Sequence, residues 1–134
     1  MRTRNRSQRG SSLVELSMTM LVFLVLIIGT IDFGRIVGIY NILAGATKEG
    51  ARYAIVHGSA SGSAADNAAI QSVVQQWAIG LDSSNLTVAT TWSPGNAPGN
   101  TVQVVATYSV TPILIWISGT TFNIRSQSSM VISQ

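Results

Sequence analysis

LVELSMTMLVFLVLIIGTI, residues 13–31, holds one charged side chain, Glu15, in 19 positions. As a helix rising about 1.5 Å per residue it covers roughly 28 Å, close to the hydrocarbon thickness of a bilayer. One membrane span fits; two do not. Ser17 and Thr19 are tolerated inside it because a hydroxyl can bond back to a carbonyl one turn earlier. The alternative, a buried core helix, is weak, because nothing else in 134 residues could cover so long an all-round apolar surface.

On the N-terminal side of this stretch lies a basic leader. Arg2, Arg4, Arg6 and Arg9 are half of the eight basic residues, and the other four, Arg35, Lys48, Arg52 and Arg125, face five acids, Glu15, Asp32, Glu49, Asp66 and Asp82. Beyond residue 10 the side-chain balance is therefore −1, although the whole chain carries +3. The basicity belongs to the leader, which argues against a nucleic-acid partner. Arginines just before an apolar span mark a cytoplasmic flank under the positive-inside rule, with the rest of the chain outside. The chain has no cysteine, which excludes disulfides, thiol catalysis and cysteine metal sites.

On the C-terminal side the helix is expected to continue. No proline and no run of turn residues occurs between Asp32 and His57, and Ile36, Ile39, Tyr40, Leu43, Ala46, Gly50 and Ala54 recur at three- and four-residue steps. Small residues at Gly34, Gly38, Ala44, Gly45, Ala46, Gly50, Ala51 and Ala54 allow another element to approach closely. The loop GSASGSAA at 58–65 interrupts the pattern. A second, amphipathic helix of about 66–79 comes next, with Ile70, Val73, Val74, Trp77, Ala78 and Leu81 on one face and Asp66 positioned to cap it.

After Gly80 the period changes to two. Leu86, Val88, Thr90 and Trp92 alternate, SPGNAPGN at 93–100 is a turn, and Val102, Val104, Ala106, Tyr108 and Val110 alternate again, which predicts an antiparallel hairpin. Pro112 ends it. The apolar piece ILIWI at 113–117 is expected against the helix or the membrane surface, and TFNIRSQSSMVIS offers a last strand. The predicted class is α+β: a long N-terminal transmembrane helix continuing outside the membrane, a second helix and a small antiparallel sheet. The expected organisation is a leader at 1–10, a span at 11–31, a helical extension at 32–57 and a head at 58–134.

No catalytic nucleophile, metal-ligand cluster or phosphate-binding glycine loop is visible, so no enzyme, cofactor, metal or small-molecule substrate is expected. His57 is the lone histidine, at the predicted end of the long helix, where a cation complements the helix dipole.

The informative string is Arg9-Gly10-Ser11-Ser12-Leu13-Val14-Glu15, a basic leader ending in Gly, with Glu five residues later at the head of the apolar helix. It resembles the processing site of type IV prepilins. The resemblance implies that a membrane-bound prepilin peptidase cuts between Gly10 and Ser11 on the cytoplasmic face and leaves the helix attached. It also implies that Glu15 sets register by meeting the N-terminal amine of a neighbouring subunit. Glycine suits the cut because it puts no side chain in the way of an extended backbone. A carboxylate inside an apolar segment costs up to a few kcal/mol and needs a partner. Ser12-x-x-Glu15 also fits a helix capping box, and both roles can hold at once. A secretory signal peptide fits worse: Asp-Phe-Gly-Arg comes directly after Ile31, and the first small-x-small site, Ala44-Gly45-Ala46, lies more than ten residues too far on.

Two further strings, Asp32-Phe33-Gly34-Arg35 and Glu49-Gly50-Ala51-Arg52-Tyr53-Ala54, together with the first, resemble the TadE-like family, minor pilin-like subunits of tight-adherence (Flp) pilus systems. Residue 16 is Leu where that family often has Phe, and the length fits the shorter TadE type rather than larger TadG-type relatives. The family implies a pilin-like head, a single-pass anchor in the cytoplasmic membrane, and as partners the prepilin peptidase, other pilin-like subunits and the pilus assembly platform. An uncleaved membrane-anchored scaffold or binding protein, and a pseudopilin of a secretion system, are the alternatives. Spacing alone lets Asp32 and Arg35, and Glu49 and Arg52, pair on a helix surface for a few tenths of a kcal/mol; whether Glu49 and Arg52 meet each other or another subunit stays open.

Overall fold

A computed structural model describes residues 6–113 and 120–133, with side chains from residue 10 onward. One helix, α1 (Arg6–Val56), runs unbroken for 51 residues, about 76 Å at the standard rise. It takes in residues 6–10, which the sequence assigned to the leader. Nothing inside it offers a stop, and Ser17, Thr19 and Thr30 return their hydroxyls to Leu13, Glu15 and Leu26 carbonyls at 2.8, 2.9 and 2.8 Å. Polar side chains in the apolar stretch are thereby satisfied by the helix itself.

Around the upper half of α1 the chain wraps a small head. α2 (Asn67–Trp77) starts at Asp66, whose carboxylate accepts the Ala69 N–H at 2.7 Å, as expected of a cap. It ends sooner than predicted, at Trp77. Ala78 closes the last turn onto Val74 O, and Gly80 turns the chain away at φ +81°, a conformation glycine takes without steric cost. A 3₁₀ turn at Ser83–Asn85 leads into β1 (Leu86–Ser93), which pairs antiparallel with β2 (Thr101–Val110), and β2 pairs antiparallel with β3 (Phe122–Val131), in sheet order β1-β2-β3. The expected hairpin and last strand are thus present. ILIWI lies outside the described residues beyond Ile113.

The core is a layer between α1 and α2 on one side and the inner face of the sheet on the other. β2 supplies Val102, Val104, Ala106, Tyr108 and Val110, all buried, in the predicted alternation. α1 supplies Ile39, Leu43, Ala46, Thr47, Gly50, Ala51 and Ala54, and α2 supplies Ile70 and Val74. The approach is closest at Gly50: a Cβ there would stand 2.5 Å from Val74 Cγ2. Of the small residues read as packing positions, Gly34, Gly38 and Gly45 instead face open space.

Two large side chains depart from the predicted faces. Trp77 is 53% exposed, and Tyr40 stands out from α1. A seam tight enough to demand glycine has no room for an indole; the buried row on this helix and its cap is Ile70, Val74 and Ala78, with Trp77 turned to its flank. A buried polar contact crosses the layer, Thr47 Oγ1 to Ser126 Oγ at 3.3 Å, while Thr47 also donates to the Leu43 carbonyl at 2.9 Å. Far from the span, Ser133 ties the end of the chain to the Ile55 carbonyl through its N–H at 3.1 Å and its hydroxyl at 3.0 Å. This contact satisfies one of the carbonyls that a helix end leaves open.

Candidate functional site

The residues singled out by sequence fall at three levels along α1, not in one cluster. At the bottom, Gly10 and Ser11 are helical and exposed, and no side chain approaches Gly10. Glu15 is exposed among Leu13, Val14, Leu16, Met18 and Met20, all standing free of the head. The described helix already includes Arg6, so Ser12 is inside it rather than at its start, and the capping-box reading does not apply while residues 6–10 are attached. It would apply only to a chain beginning at Ser11. A cut at Gly10 also requires this turn to unwind first, since peptidases bind extended backbone and this backbone is helical.

About 26 Å further along the axis lies the second level. Asp32 is only 6% exposed, and its carboxylate Oδ1 accepts the backbone N–H of Ile113 at 3.0 Å. One turn on, Arg35 donates through Nη1 to the Thr111 carbonyl at 3.4 Å. Both charged residues therefore hold the segment that leaves β2, on either side of Pro112. The reason is local: Pro112 has no N–H and ends the ladder, so the groups flanking it need partners from elsewhere. Thr111 and Ile113 were not foreseen in this role. The signal was present in the proline at the strand end and in an acid at the rim of the span, but their meeting depends on the tertiary path. Phe33 is exposed and Gly34 has free space around it.

At the third level Glu49 and Arg52 pair with each other at 3.6 Å across one turn, with the Arg52 side chain 70% exposed. An exposed pair of this kind contributes at most about 1 kcal/mol. Between them, Gly50 and Ala51 face the core. This string is thus a packing motif on one side and a solvated ion pair on the other. His57, just past the helix, points Nδ1 at the Tyr53 carbonyl at 2.9 Å and stacks on the Tyr53 ring at 4.1 Å. A carbonyl can only accept, so Nδ1 carries the proton. Among the described residues no group of His, Asp and Glu is arranged to hold a metal ion.

Residues 10–52 match the family model described as TadE-like protein. Over that stretch the chain is similar to TadE-like proteins. The match lies wholly within α1, beginning at Gly10 and ending at Arg52, so it takes in all three levels. No curated protein and no solved structure matches the chain. The matched helix is long and apolar enough to cross a membrane once, and its most apolar window is entirely uncovered by the head. Such a helix suits a single-pass anchor.

Proposed function

We propose that this chain is a non-enzymatic, minor pilin-like subunit that takes part in assembling a tight-adherence (Flp) pilus. It is held in the cytoplasmic membrane by residues 11–31, with its N-terminus inside and its head outside, and is processed after Gly10 by a prepilin peptidase. One observation carries this reading: the TadE-like match starts at the Gly10 cut position and runs along a single helix whose first half is apolar and bare.

The chemistry stems from that helix. Before processing, the Arg cluster holds the leader at the cytoplasmic face. Hydrolysis of the Gly10–Ser11 bond exposes a positive amine at Ser11, one turn below Glu15. In an apolar surrounding, a carboxylate and an ammonium on neighbouring subunits attract strongly, because no water screens them. The pair therefore favours one axial register as helices leave lipid for one another. The partners are the peptidase, other pilin-like subunits and the assembly platform.

A second reading, an uncleaved anchored scaffold, is favoured by the helical conformation at Gly10 and Ser11. Intact-mass and N-terminal peptide mass spectrometry on membrane-extracted protein, with and without the cell's prepilin peptidase, separates the two. A chain starting at Ser11 only when the peptidase is present is the expected result. Retention of residues 1–10 in both strains overturns it and leaves the uncleaved anchor.

A further inference from the structure

We infer that the base of the head docks onto the bilayer interface, so that the head lies on the lipid surface beside its own anchor rather than standing clear of it. The inference rests on residues 11–31 spanning the membrane.

The span ends at Ile31, which puts Asp32 at the lipid boundary. Asp32 is not free there: it holds the Ile113 N–H at 3.0 Å, and Arg35 reaches the Thr111 carbonyl at 3.4 Å. These contacts fix the 111–113 segment at the level of the span's end. Phe122 pairs with Val110, just before that segment, so the start of β3 lies at the same end of the sheet. The turn after α2 reaches toward this end, since Ile79 and Gly80 line one shallow hollow that runs along the helix from Arg35 and Gly38 up to Ile42.

Asp32 to Gly38 rises about 9 Å along the helix, comparable with the roughly 5–8 Å polar interface on each side of a bilayer. Four uncovered apolar side chains stand at this level, Ile79 (74% exposed), Ile113 (53%), Phe122 (46%) and, on the helix, Phe33 (69%), beside the exposed polar Thr111, Thr121 and Asn123. Apolar side chains arranged around a spanning helix, at interface depth and continuous with its lipid-facing surface, fit a lipid surface as their occupant.

The chain lacks cysteine, so single probes can be placed cleanly. The variants are Ile79→Cys, Ile113→Cys and Phe122→Cys at the base, Ser63→Cys in the far loop and Val22→Cys within the span. Each is carried by the full chain, labelled with a nitrobenzoxadiazole dye and reconstituted in phosphatidylcholine vesicles containing lipids with nitroxide quenchers at shallow or deep acyl positions. All of these side chains except Ser63 are exposed apolar ones, so the substitutions spare the core. The expected result is at least twofold quenching of the three base labels by the shallow nitroxide, none at Ser63, and quenching of the Val22 label by the deep one. Base labels that behave like Ser63 while Val22 is quenched overturn the docking and leave the anchor intact. A Val22 label that escapes quenching overturns the spanning helix, and the docking with it.

Discussion

Residues 11–31 and 32–56 belong to one helix with one conformation, yet they are stabilised differently. In the lower half every large apolar side chain from Leu13 to Leu26 is exposed, whereas in the upper half a stripe from Ile39 to Ala54 is sealed beneath α2 and the sheet. Backbone hydrogen bonding is equal in both, so the helix itself does not distinguish them. What differs is the environment each half requires: lipid below, the head above. The lower half therefore tolerates changes of apolar side chain that the upper half does not, and the two can be perturbed separately.

The largest contrast is expected between Leu43→Ala and Leu24→Ala. Leu43 is fully buried, and its truncation leaves a cavity worth about 2–5 kcal/mol of head stability. Leu24 touches nothing in the head, and its truncation leaves that stability unchanged. Denaturant unfolding of the detergent-solubilised chain, followed by tryptophan fluorescence, measures both. Equal losses from the two variants would break the comparison, because the halves would then be one energetic unit.

A smaller contrast uses glycine. Gly50→Ala forces a methyl against Val74 and is expected to cost about 1–3 kcal/mol, while Gly38→Ala, with open space around it, is expected to raise stability by up to about 1 kcal/mol through helix propensity. The same unfolding measurement decides it; a loss at Gly38 as large as at Gly50 would mean that the upper helix is covered on both faces.

Glycine also illustrates what the sequence could tell. The period of apolar residues made the long helix, the second helix and the strands legible, because each element buries one face and the period names that face. The inner face of β2 was readable residue by residue. The glycines of the upper helix all looked alike as packing positions, and only the path of α2 makes Gly50 the tight one. Asp32 and Arg35 were likewise visible in the sequence as part of one string and as a possible pair three residues apart, but their partners at Ile113 and Thr111 are some 80 positions away, and no local pattern encodes such a meeting. The processing string was legible as a motif, but cleavage is a reaction with another protein, and neither the spacing nor the fold contains it.

Asp32 offers the third contrast, with Glu15. Asp32→Ala leaves the Ile113 N–H without its acceptor and is expected to cost about 1 kcal/mol, with faster amide hydrogen exchange at Ile113. Glu15→Ala is expected to leave that exchange rate and the head's stability untouched while lowering the yield of assembled filament. If Glu15→Ala accelerated exchange at Ile113, the lower half would be communicating with the head along the helix, and the two halves would not be energetically separate.

The smallest effect is expected from acid, and it concerns the head alone. The Asp82 carboxylate accepts the Ser84 backbone N–H at 2.9 Å, and the hydrogen bonds from Ser84 hold its pKa below the ordinary 3.8. A value depressed by folding stabilises the head fully above the ordinary pKa, and that contribution is lost as pH falls through the folded one. Asp82→Asn keeps an oxygen for the Ser84 N–H but removes the titration. Wild type should therefore be slightly the more stable at pH 7, and the two should converge below about pH 3.8, by an amount smaller than the effects at Leu43, Gly50 and Asp32 because the site is exposed to water. Thermal unfolding midpoints at several pH values measure this. A gap that widens on acidification would reverse the sign and would mean that the loop after α2 is held by something other than the Asp82 charge.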